Sequence, residues 1–163
     1  MRPRAKRSEW RGNVKRGIVD FNVFVDYRLT IDEMIAAGGY GHVPADLTDE
    51  DRGLHNCDGV VATVLHVVCF GEELTSEKVL DKLAQQRLRH AEMPEFLALG
   101  AQFPALQLEY DLVTLYSRWR CQHTGVKLYP GLTAKDGLRK LAIHWNSASG
   151  LWHPPVRFVA AAI

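Results

Sequence analysis

The sequence predicts an α+β domain in which a mixed or antiparallel sheet carries a packed helical hairpin. Three observations point there. Residues Ile18–Tyr27 alternate with period two, Val60–Phe70 is an almost unbroken apolar and β-branched run, and helical spacing is confined to a few stretches before a strand-rich final third. At 163 residues the chain has the length of one domain, with a core large enough to stabilise it.

Each element has its own signal. In the first strand Phe21, Val23, Val25 and Tyr27 share one face, while Asp20, Asn22 and Asp26 share the other with Phe24 as the exception. Thr30 followed three residues later by Glu33 is a capping box, so a helix of about two turns starts there, with Gly38 as its left-handed stop. Residues His42–Asp58 hold Pro44, four acids (Asp46, Asp49, Glu50, Asp51) and Gly53, the composition of a long surface loop. Val60–Phe70 suits a central strand covered on both faces. Thr75 or Ser76 caps the next helix, in which Val79, Leu80, Leu83, Ala84 and Leu88 recur at helical spacing. Pro94 opens another that presents Phe96, Leu97 and Leu99 and ends at Gly100, so the pair reads as a hairpin. Beyond Pro104 the chain reads as extended: Leu106–Leu112 alternates and then slips phase, Val126–Tyr129 stops at a Pro130–Gly131 turn, and Leu138–Trp145 and Val156–Ala161 are the last strands.

Hydrophobic residues at 47% and charged residues at 24% are the proportions of a globular protein and exclude collagen-like and low-complexity classes. Net charge is only +1, but the first sixteen residues carry Arg2, Arg4, Lys6, Arg7, Arg11, Lys15 and Arg16 against Glu9. That segment is therefore +6 and residues 17–163 are −5. Residues 1–16 read as a flexible basic extension and residues 17–163 as the domain, since so polar a stretch buries too little to offset its ordering entropy. No apolar run reaches the ~20 residues of a membrane-spanning helix, so no membrane association is expected. Three cysteines cannot all pair within the chain, which points to a reducing, cytoplasmic setting.

Histidine and cysteine supply the one suggestive ligand pattern. His55/Cys57 and Cys121/His123 each project to one face of an extended chain, and together they offer four N and S ligands to a tetrahedral zinc. One intervening residue is tighter than the usual zinc spacing of two to four, so unrelated side chains are the favoured reading, and no cofactor is expected. His66 and Cys69 fall on opposite strand faces and read as core residues. Gly38, Gly39 and Gly41 follow a helix rather than a strand, which makes them a helix stop and not a phosphate loop. The basic segment, with Trp10 embedded, has the chemistry to neutralise phosphates and stack on an unpaired base; it also has the charge to dock on the acidic body of its own chain or a partner. The final third is rich in aromatic residues, most of them core, with Trp119 and Trp152 placed on loops where they would line a recognition surface.

The stretches DYRLTIDEMIAAGGYGHVPADLT (Asp26–Thr48), HVVCF (His66–Phe70), HAEMPEFLALGAQFPALQ (His90–Gln107) and RFVAA (Arg157–Ala161) resemble a family of bacterial proteins with no assigned activity. The resemblance supports the element order and transfers no catalytic residue. The helix pair at Ser76–Gly100, Trp145–Asn146 and the terminal Val156, Phe158 and Val159 also resemble the C-type-lectin-like fold. The calcium-binding triplets and cysteine pairs of that fold are missing, so calcium-dependent sugar binding is not implied. The resulting expectation is a non-enzymatic interaction module acting on a protein partner. Nucleic-acid association through Arg2–Arg16, and a small zinc protein or enzyme built on His55, Cys57, Cys121 and His123, stand as the alternatives.

Overall fold

A computed structural model describes residues 17–44, 58–116, 119–120, 124–144 and 150–163; the side chains of Trp119 and His144 fall outside the description. The chain runs β1 (Gly17–Asp26), α1 (Ile31–Gly38), β2 (Val60–Cys69), β3 (Leu74–Thr75), α2 (Ser76–Gln85), β4 (Leu88–His90), α3 (Met93–Gln102), α4 (Leu106–Glu109), β5 (Leu112–Val113), β6 (Trp119–Arg120), β7 (Lys127–Lys135), β8 (Leu138–His144), β9 (Leu151–Trp152) and β10 (Arg157–Ala162). Eight strands form one mixed sheet in the order β1-β2-β10-β5-β7, with β8 on the far side of β7, β4 beside β10 and β6 beside β7. Among the described strand pairs β10/β5 alone is parallel. The α+β class and the mixed sheet are therefore as expected.

Side-chain alternation divides the interior into two cores. From β1, Phe21, Val23 and Val25 point to one side, where Ile31, Met34, Phe96, Leu97 and Leu99 of α1 and α3 meet them. On the other side α2 lays Val79 and Leu83 over Val68 of β2 and Phe158 and Ala160 of β10. Strand β10 feeds both cores in turn, and its Phe158–Ala161 are each 4% exposed or less.

Several expectations need correction. The two helices do not form a hairpin: Leu88, read as the last apolar position of α2, belongs to β4, which pairs with β10 and separates α2 from α3. Strand β2 is covered on both faces only near its end, because α2 reaches no further; Val60 and Val64 remain 52% and 41% exposed. The stop after α1 is Gly39 (φ 62°), one residue beyond Gly38. Leu106–Glu109, read as extended, is a helical turn that buries Leu106 and Gln107. Pro130–Gly131 does not turn the chain, because β7 runs straight through both residues. On that edge of β7, β5 pairs with Gly131 and Leu132 and β6 with Lys127 and Leu128, so Pro130 falls in the interval between them where no ladder donor is needed. The reversal comes at Asp136–Gly137, both at positive φ (53° and 76°), the two-residue turn that suits a twisted hairpin.

Candidate functional site

Chemistry-bearing side chains gather in three places. At the entrance to α3, the Arg89 guanidinium forks onto both Glu95 oxygens at 2.9 and 2.8 Å, and Glu95 Oε2 also accepts from the Glu92 backbone N–H at 2.8 Å. Glu95 is 3% exposed. Its hydrogen bonds, and then its charge, raise Arg89 above the ordinary arginine range. Thr114 Oγ1 donates to the Ala91 carbonyl, and the His90 and Tyr116 rings lie 6.0 Å apart. The arrangement pins the start of α3 to β4. Both oxygens of its carboxylate are engaged by donors from its own fold.

A second cluster surrounds Arg139 of β8. Its guanidinium donates to the carbonyl of Gly38 at the end of α1, to the carbonyl of Gly100 in the last turn of α3 (2.7 Å), and to Gln107 Oε1 (3.0 Å). It also lies 4.9 Å from the centroid of the Tyr40 ring. Carbonyls near two helix C-termini, the negative ends of their dipoles, thus share one cation. Tyr40 is half-buried, its ring close to Gly38 and Gly100, and desolvation pushes its phenol up to about 12. This cluster, too, is internal architecture.

The third place opens to solvent. Strand β1 is the sheet's edge, paired with β2 alone among the described residues, along all ten of its positions. Beside that edge, between β1 and the α3–α4 corner, lies a groove of about 580 Å³. Its floor is Phe21, Phe103 and Leu106, with the two phenyl rings edge to face at 4.9 Å. Its rim holds Asp20, Asn22 and Glu109, and no lysine or arginine lines it among the described residues. One end of the edge is closed from within: Gln102 accepts from the Phe24 N–H at 3.0 Å and donates to the Phe24 carbonyl at 2.7 Å. The side-chain amide there does what the peptide group of a neighbouring strand would do. By alternation, the backbone groups of Ile18, Asp20 and Asn22 face the same way as those of Phe24, toward the groove. On the opposite face of β1, Asp20 Oδ1 meets His66 Nδ1 at 2.7 Å.

The residues singled out from sequence fare differently. His55, Cys57, Cys121 and His123 lie outside the described residues, as do Arg2, Arg4, Lys6, Arg7, Trp10, Arg11, Lys15 and Arg16 and the loop acids from Asp46 to Asp51. Among the described residues no three His, Cys, Asp or Glu side chains group to hold a metal. No described helix is long and apolar enough to cross a membrane. Trp119 belongs to β6, paired with Leu128, its side chain outside the description. Trp152 is corrected from loop recognition residue to core residue. It sits in β9 at 6% exposure, stacks edge to face on Tyr129 and Phe158, and donates its indole N–H to Ser76 Oγ at 2.8 Å. Burying so large a ring while satisfying its one donor outweighs leaving it in water. Cys69 is buried as expected, and His66 is half-buried. Comparison of the chain with protein-family models, with curated proteins and with solved structures finds no match.

Proposed function

We propose that this protein is a non-enzymatic interaction module that captures an extended segment of a partner protein along the free edge of β1. The observation that carries the reading is the Gln102–Phe24 amide pair: an amide already docks on this edge in strand geometry, and the edge continues past it through Asn22, Asp20 and Ile18, whose outward backbone groups have no strand partner among the described residues. A strand added there forms main-chain hydrogen bonds for affinity and lays alternate side chains into the groove for selectivity. The apolar floor of Phe21, Phe103 and Leu106 supplies the buried contact. An edge strand of this length left open would otherwise be an aggregation template.

The test is selection of nine-residue peptides from a displayed random library on the immobilised full-length chain, followed by amide hydrogen exchange of the complex. Enriched peptides are expected to slow exchange at the Ile18, Asp20 and Asn22 amides. Failure to enrich any peptide, or protection confined to other strands, refutes the reading.

A further inference from the structure

We infer that the segment captured at β1 is an amphipathic, cationic strand, with apolar residues at one set of alternate positions and lysine or arginine at the other. The inference rests on the strand-addition reading above and adds the chemistry of the occupant. A strand laid against β1 continues the sheet, so its side chains alternate between the two sheet faces as those of β1 do. On the inner face they come down on Phe103, Pro104 and Leu106, which select apolar groups. On the outer face they stand beside the even-numbered residues of β1: Ile18, Asp20 and Asn22. Asp20 is 61% exposed there, and Glu109 is an exposed acid on the rim of the same groove.

Charge sets the sign of the partner. No lysine or arginine among the described residues lines the groove; Asp20 meets the His66 ring at 2.7 Å and is still mostly exposed, and residues 17–163 carry −5 overall. Two copies of β1 paired antiparallel about the middle of the Ile18–Asn22 stretch would set Asp20 against Asp20, which disfavours a second copy as the occupant. A cation across from Asp20 and another near Glu109 form cross-strand and rim pairs instead, each of modest strength and sensitive to salt.

Three acetylated and amidated nine-residue peptides test this, alternating valine with lysine, with serine or with glutamate. Each is titrated by fluorescence anisotropy into the full-length protein and located by amide exchange. Two opposite-charge pairs at about 0.7 kcal/mol each amount to roughly tenfold in affinity. The lysine peptide is therefore expected to bind about tenfold tighter than the serine peptide in low salt, with the glutamate peptide weakest. Asp20→Asn with Glu109→Gln should bring the lysine and serine peptides within about twofold, and 0.5 M salt should do the same. Glu109→Gln alone, which leaves the Asp20–His66 contact intact, should remove part of the preference; circular dichroism confirms that each variant is folded. Equal binding of all three peptides, with protection at Asp20 and Asn22, overturns the cationic assignment and leaves strand addition standing. If the lysine peptide binds but protects residues elsewhere, the assignment also fails. Binding by none of them, with no protection on β1, overturns the strand-addition reading itself.

Discussion

Replacing Arg139 by alanine removes a side chain that joins α1, α3, α4 and β8. Its guanidinium serves three acceptors, the Gly38 and Gly100 carbonyls and Gln107 Oε1, and covers the Tyr40 ring. A hydrogen bond to a charged group contributes about 1.5–3 kcal/mol, and the ring contact about 0.5–2 kcal/mol. These contributions do not add, because the freed carbonyls recover part of their loss through water at a half-buried site. A net cost of about 3–4 kcal/mol follows, a large share of the 5–15 kcal/mol that holds a typical domain together. With a urea dependence of about 2 kcal/mol per M, the unfolding midpoint should fall by roughly 1.5–2 M. Arg139→Lys separates charge from shape. An ammonium keeps the positive charge but lacks the planar fork that reaches three acceptors, so it should recover less than half of the loss. Urea unfolding followed by tryptophan fluorescence measures all three proteins. A loss under 1 kcal/mol in Arg139→Ala, or full recovery in Arg139→Lys, would refute the argument that geometry rather than charge makes the joint.

Two further predictions concern the same corner. Burial holds the Tyr40 phenol at about 12, above the value near 10 of an unfolded tyrosine. Its contribution is complete below pH 10 and is lost as the pH rises from 10 toward 12, so Tyr40→Phe should flatten the decline of stability over that range; parallel pH curves would exclude it. Gly100→Ala places a methyl 2.2 Å from Tyr40 Oη and 2.9 Å from Leu132 Cδ1. Despite alanine's better helix propensity, the variant should lose about 1–3 kcal/mol, and combining it with Tyr40→Phe should cost less than the two changes added, as measured by chemical denaturation.

Local signals in the sequence were legible where the deciding physics is local. Thr30 and Glu33 form the capping box their spacing implies, and Phe21, Val23 and Val25 are the buried face of β1. Misreadings arose where a long-range partner decided. Leu106 and Leu108 alternate like a strand, yet no strand among the described residues pairs with them; the chain closes a helical turn that puts Gln107 Nε2 on the Thr133 and Lys140 carbonyls. Leu88 keeps helical phase with Leu83, but β10 offers it a ladder. Asp136–Gly137 matches the two-residue hairpin turn, whereas Pro130–Gly131 only lacks a donor, which the interval between β5 and β6 along β7 accommodates. The candidate site was less legible still. Asp20, Gln102 and Phe103 have no motif in common, and that β1 lies at an edge is a property of the whole sheet.

The way β1 is finished bears on what it does. A strand edge that serves only as a boundary is blunted by charge, by proline, by a bulge or by a covering loop. Here Gln102 closes the edge at Phe24 and the treatment stops there among the described residues, leaving the backbone from Ile18 to Asn22 beside an apolar floor. Phe103 packs on Phe21 of β1 and Leu106 is buried beside them, so the apolar floor is already formed before anything arrives. A preformed apolar floor beside strand groups that have no partner among the described residues lowers the ordering cost of an incoming segment, which is where much of the affinity for a flexible peptide is otherwise lost. That combination, rather than any reactive side chain, is the basis for reading this edge as the working surface.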